Sequence, residues 1–334
     1  MAKRNETKKQ KNRKRKILLA LLLVIFTGLI LTANTYAWFT SNKTITVDAI
    51  DVQVTTANGI QVSTDATNWK TVITNTDLNN TLLASTLYPT NTNQLPFKSS
   101  SAQIAPVSTG GTVADGKLKM YLGELGTDTS DNTILTTTAE TDTKGAVGNY
   151  VAFDLFFLVT QNSTVKLGSG SSVTTSTGAT NKGLKNAARV AWINEGNAAA
   201  GDVSSAQGLA AGSSARIWEP NNNVHTDAAI ADALSTYGMT VTSNQQIANY
   251  YGVDAVINPG VTLNPITPGT NFKQVTPQLK TQDGALTADQ EWFNLTAGIT
   301  KVRFYLWVEG QDVDCENNAS GDAISFNMNF VLAD

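Results

Sequence analysis

The chain has 334 residues, enough for one large β-domain or two modest ones with a substantial core, and its 24 Lys and Arg against 27 Asp and Glu give a net charge of −3. Nine of the basic residues lie in the first 16 positions beside one acid, Glu6, so the remaining 15 basic and 26 acidic residues leave a body of net −11. An acidic body excludes nucleic-acid binding, which needs clustered Lys and Arg; a single cysteine, Cys315, excludes an internal disulfide; and one His with one Cys excludes a zinc motif.

The basic head "KKQKNRKRK" runs into the apolar stretch Ile17 to Ala33, 17 residues long. A positive region followed by an apolar core is the pattern of a secretory signal. Thr35-Tyr36-Ala37 then presents small residues at −3 and −1, as a signal peptidase requires, with cleavage between Ala37 and Trp38. Left uncut, residues 17–33 would hold the chain in a membrane with the basic end inside. Both readings of the 1–37 segment, cleaved signal or helical anchor, place the body outside the cytoplasm, in the extracellular space or at the cell surface.

From residue 38 on, β-branched and aromatic alternation favours strands over helices. Ile45 and Val47 share one face and Ile50, Val52 and Val54 the other, so the phase slips by one at Asp48-Ala49-Ile50. Such a slip marks a bulge or two strands with different partners. Asn58-Gly59 signals a hairpin turn between short strands. Residues 150–160 are apolar on both faces except at Asp154, which predicts a central strand. "GSGSSVTTSTGATNKG" (168–183) is expected as a hairpin loop, and "ARVAWINEG" and "ARIWEPN" as two further strands around the insert 196–214. Helix is expected at 226–238, opened by Thr226-Asp227 and closed by Gly238, and at 243–252; prolines make 258–277 irregular. Residues 302–308 and 324–332 alternate cleanly, which predicts a hairpin around the polar loop 310–322. The sum is an all-β, jelly-roll-like antiparallel β-sandwich, with a segment 38–48, a body 49–334 and a small partly helical insertion near 220–290.

Chemistry is sparse. A Ser-His-Asp or Cys-His arrangement would have to use His225, which sits in the polar run "EPNNNVHTD" and is expected at the surface where a helix starts. The loop 310–322 offers Asp312, Asp314, Glu316 and Asp322 as oxygen ligands for Ca²⁺. The EF-hand spacing fails, with Asn317 at position six and Ala323 at position twelve, so this loop is expected as an exposed hairpin tip and not as a metal site. No cofactor motif is present, and a non-enzymatic protein is expected.

"TYAWFTSNKTITVDAIDVQV" resembles the start of the TasA/camelysin group of exported bacterial proteins, through Thr35, Tyr36, Ala37, Trp38, Phe39 and the strand Ile50 to Val54. The closing "AISFNMNFVLAD" is similar to the last strand of that fold. The likeness covers about 25 residues at the mature start and, loosely, the last 35. It implies a signal peptide cut by a SipW-type peptidase and a sandwich that builds extracellular or biofilm-matrix fibres. In that arrangement Trp38, Phe39, Ile45 and Val47 would be lent to the open sheet edge of the next copy, making the partner another copy of the chain. The camelysin peptidase activity is not carried over, because the residues that would hold zinc are missing. The alternative is a membrane-anchored surface domain acting as an adhesin or ligand-binding module.

Overall fold

A computed structural model describes residues 38, 45–55, 59–83, 88, 90–96, 104–142, 145, 148–247 and 250–333. The signal or anchor segment 1–37 lies outside these, and so do Ala37, Phe39 and Asn58. Among the described residues no helix is long and apolar enough to cross a membrane.

The strands, in chain order, are β1 (Thr46–Thr55), β2 (Gln61–Ser63), β3 (Val72–Ile73), β4 (Val107–Ser108), β5 (Val113–Ala114), β6 (Lys117–Leu118), β7 (Met120–Thr127), β8 (Thr133–Glu140), β9 (Val151–Val159), β10 (Ser163–Leu167), β11 (Ser172–Thr175), β12 (Ala188–Ala198), β13 (Ala215–Glu219), β14 (Tyr250–Val253), β15 (Val261–Thr262), β16 (Phe272–Val275), β17 (Leu279–Lys280), β18 (Gln290–Leu295), β19 (Gly298–Val308) and β20 (Ala323–Leu332). Among the described residues three α-helices accompany them, α1 (Asn75–Leu83), α2 (Val203–Gly208) and α3 (Asp227–Tyr237). The fold is therefore mainly β.

Two six-stranded sheets face each other. One runs β18-β10-β20-β1-β3, with β11 also on β20; the other runs β17-β13-β12-β19-β9-β2. Most neighbours are antiparallel, but β1, the first strand, pairs in parallel with β20, the last. Between the sheets lie Ile50 and Val52 of β1, Phe153 and Phe157 of β9, Phe304 of β19 and Phe330 of β20, all essentially without solvent contact. The second sheet is covered on its other face too. Tyr150, Ala191, Tyr305 and Trp307 there meet Met120 of β7, Tyr250 of β14 and Val275 of β16. This third layer consists of the β15-β8-β7-β4 sheet and the two-stranded β14-β16 sheet. It explains why every residue of β19 is buried.

The phase slip near residue 48 is a bulge inside one strand. Val47 pairs with Ile324 and Ala49 with Ser325, so Asp48 is the extra residue. Asn75 of α1 braces it, donating to the Asp48 carbonyl and accepting from the Ile50 amide, both at 3.0 Å. The bulge lets Ile45, Val47, Ile50, Val52 and Val54 all face the core. The slip is thus accounted for within a single chain, and β1 runs through the expected boundary at 48/49.

Other expectations need correcting. β19 and β20 are not a hairpin: β19 lies between β12 and β9 in one sheet, and β20 belongs to the opposite sheet. The segments around Asn58-Gly59 also part, β1 to the first sheet and β2 to β9 in the second. Among the described residues of 243–252 there is no helix: 243–244 form a turn and 250–252 belong to β14, whose pairing with β16 overrides the local capping signal. A quarter of the expected 168–183 loop, Ser172–Thr175, is β11. The 226–238 helix is present, with the Thr226 hydroxyl accepting from the Ala229 amide at 3.1 Å and Gly238 closing it at φ 66°.

Candidate functional site

The segment joining β19 to β20 crosses from one sheet to the other, and its residues 309–316 are buried, so the expected exposed tip is a correction for that part; Asn318 and Gly321 are exposed. Gln311, Asp312, Asp314, Cys315, Glu316 and Asp322 are all at most 8% exposed. The third layer and Trp38 cover this segment, and polar composition alone could not reveal that cover.

Its carboxylates turn to separate partners. Asp312 pairs with Arg189 of β12, and Asp314 approaches His225 Nδ1 at 2.7 Å. Glu316 caps a short 3-10 turn by accepting from the Asn318 amide at 2.6 Å, and Asp322 accepts from the Lys182 amide at 3.1 Å. Among the described residues no group of three or more His, Cys, Asp or Glu side chains converges on a metal position.

His225 is not on the surface; it is 7% exposed. Nδ1 faces the Asp314 carboxylate and Nε2 the Gln245 carbonyl, each at 2.7 Å. Two acceptors require two N–H donors, which is the imidazolium form. Burial works against that charge, but the hydrogen bond to Asp314 and its negative charge outweigh it and push the pKa up to about 9. The ring has no free nitrogen to act as a base.

Arg189 is the side chain at the centre of this region, and the sequence reading passed over it. Its guanidinium donates to Glu219 Oε1 at 2.9 Å, to Asp312, and to the carbonyls of Asn186 at 3.2 Å and Ala188 at 2.9 Å. It also lies over the Tyr250 ring, 5.3 Å from its centre. A charged residue inside the apolar run "ARVAWI" was the available signal, because such a residue is buried only with partners.

Above these groups is a cavity of ≈ 80 Å³. On that measure one water needs roughly 10–15 Å³, so there is room for several waters or one small ring. Arg189, Asn186, Asn222 and Tyr250 line it together with the more apolar Tyr237, Met239, Tyr251 and Ile266.

Gln311 joins the cavity to a second feature, the seat of Trp38. Its side-chain oxygen accepts from Trp38 Nε1 at 3.0 Å, and its amide nitrogen donates to the Tyr251 carbonyl at 3.2 Å. The Trp38 backbone amide donates to the Cys315 carbonyl at 2.8 Å, and the side chain is 1% exposed. Two glycines make room for the indole: a Cβ on Gly123 would come within 2.7 Å of the ring, and one on Gly310 within 2.5 Å. Ile45 is fixed further on by a two-bond bridge to Ile104, and Val47 lies in β1. Trp38, Ile45 and Val47 therefore occupy places in their own chain.

Set against protein-family models, curated proteins and solved structures, the chain matches none of them.

Proposed function

We propose that the protein is an exported, non-enzymatic structural protein of the cell surface or matrix. In this reading a jelly-roll-like sandwich follows an N-terminal signal or anchor helix, and copies polymerise by passing the segment 38–48 from one to the next. The observation that supports it is the Trp38 seat. An aromatic residue at the candidate cleavage point fills a socket shaped by two glycines, and Ile45 and Val47 add a second hold. A seat filled from within the chain can be filled by the same residues of another copy with the same contacts, which is how exchange of an identical element links subunits. The lack of a free histidine nitrogen and the full burial of Cys315, whose thiol pKa burial pushes up, support the non-enzymatic part of the reading.

The test compares a chain beginning at Trp38 with one beginning at Ala49, by light scattering and electron microscopy. The longer form is expected to polymerise and the shorter to stay monomeric. A synthetic peptide of residues 38–48 is expected to bind the shorter form, whose seat is empty. Fibres from the shorter form, or monomers from the longer form under all conditions, would overturn the proposal.

A further inference from the structure

Four buried polar atoms around the cavity have no hydrogen-bond partner among the described residues: Arg189 Nε, Asn186 Oδ1, Asn222 Nδ2 and the Tyr250 hydroxyl. Their side chains are at least nine-tenths buried, with Tyr250 the most exposed at 8%. An unmet polar atom in such a place costs about 1–3 kcal/mol, so four around one cavity mark a place that something polar fills.

The chemistry of that occupant follows from what is already satisfied. Arg189 pairs with Glu219 and Asp312, Lys280 stands 3.9 Å from the other Glu219 oxygen, and His225 pairs with Asp314, so three cations face three carboxylates. An ionic ligand would lose its hydration and meet charges of its own sign close by, without a free counter-charge. A neutral ligand has no such cost. The remaining valences are two donors (Arg189 Nε–H and the Asn222 amide), one acceptor (Asn186 Oδ1) and a hydroxyl that does both. Groups that donate and accept from one atom fit that mixture, and adjacent hydroxyls on a ring are the simplest case. The more apolar lining residues, including Tyr237, Tyr251 and Ile266, suit the C–H faces of such a ring.

We propose that this cavity binds a sugar residue, a neutral hydroxylated ring, as a free monosaccharide or as the end of a longer glycan. The site stands whether or not copies exchange their N-terminal segments, since Arg189, Asn222 and Tyr250 all belong to the body.

The experiment is saturation-transfer NMR and calorimetry on the purified protein with glucose, galactose and N-acetylglucosamine, and with glucuronate and glucosamine as charged counterparts. At least one neutral sugar is expected to receive saturation and bind at least tenfold more tightly than either charged form. Tyr250→Phe removes a hydroxyl that has no partner among the described residues and keeps the ring under Arg189. That variant is expected to melt no lower than the parent while its sugar affinity falls about five- to tenfold, the worth of one hydrogen bond. Three results would overturn the proposal: no transfer to any neutral sugar in the millimolar range, which means ordered water only; tighter binding of a charged sugar; or unchanged affinity in Tyr250→Phe.

Discussion

Trp38 holds a left-handed backbone conformation at φ 68°, uncommon for a bulky residue, and the socket around its indole keeps it there. Gly310 has no such conformational requirement; its missing side chain is needed only because the indole lies where a Cβ would go. Gly310→Ala is therefore expected to destabilise the chain by about 1–3 kcal/mol through overpacking, and Trp38→Ala by about 3–5 kcal/mol through the lost burial. The two losses are coupled by contact. In the double variant the new methyl points into space the indole has left, so its total cost should fall short of the sum by about 1 kcal/mol or more. Urea unfolding of the four proteins measures this, and strict additivity would show that the indole does not occupy the place described.

Strand β9 carries a charge through the centre of the fold. Asp154, fully buried, accepts from Arg303 of β19 at 2.9 Å and from the Tyr88 hydroxyl at 2.7 Å, with Lys301 at 3.5 Å. Removing Asp154 leaves Arg303 with Asp142 alone, at 2.8 Å, and takes from buried Lys301 the carboxylate beside it, so Asp154→Ala is expected to cost about 3–5 kcal/mol, and Asp154→Ala with Lys301→Met to recover part of it. A loss under 1 kcal/mol in the single variant would mean that the network does not form. Alternation and apolar runs made β9, β12, β19 and β20 legible, because they report which faces are buried. They do not report which strand lies alongside, and the supposed hairpin of β19 with β20 failed for that reason. The third layer was hidden for a related cause: Arg303, Tyr305 and Trp307 form a second, polar-looking face of β19 that only tertiary cover makes interior. The site was less legible than the fold. Asp312, Asp314 and His225 have the composition of a wet loop, and only their distances to Arg189, Asn186 and one another reveal a buried cluster.

Across the whole molecule, buried titrating groups set how stability depends on pH. Burial pushes the carboxyls of Glu195 and Glu309 up to about 7 from 4.5, against hydrogen bonds from the Gly212 amide in the first and from Ser108 and Trp307 in the second. His225 is held up at about 9 from 6.5. All three bind protons more tightly folded than unfolded, so each contributes stability below its unfolded pKa that is lost as pH rises through its folded one. The glutamates lose theirs between about pH 4.5 and 7, and His225 between about 6.5 and 9. Asp65 works the other way. Hydrogen bonds from Asn68, Thr67 and Ser63 overcome its partial burial and hold it at about 2, so its contribution is lost only as pH falls from about 3.8 to 2. The body's net −11 adds self-repulsion on the alkaline side. The melting temperature is therefore expected to peak near pH 4–5 and to fall by several degrees or more between pH 5 and pH 8.5. Replacing Glu195 with Gln should flatten the part of that slope below pH 7, because the amide takes up no proton on folding. Calorimetry across the range checks both statements; a melting temperature that stays level or rises toward pH 8.5 would show that these carboxyls ionise in the folded chain as freely as they do in water.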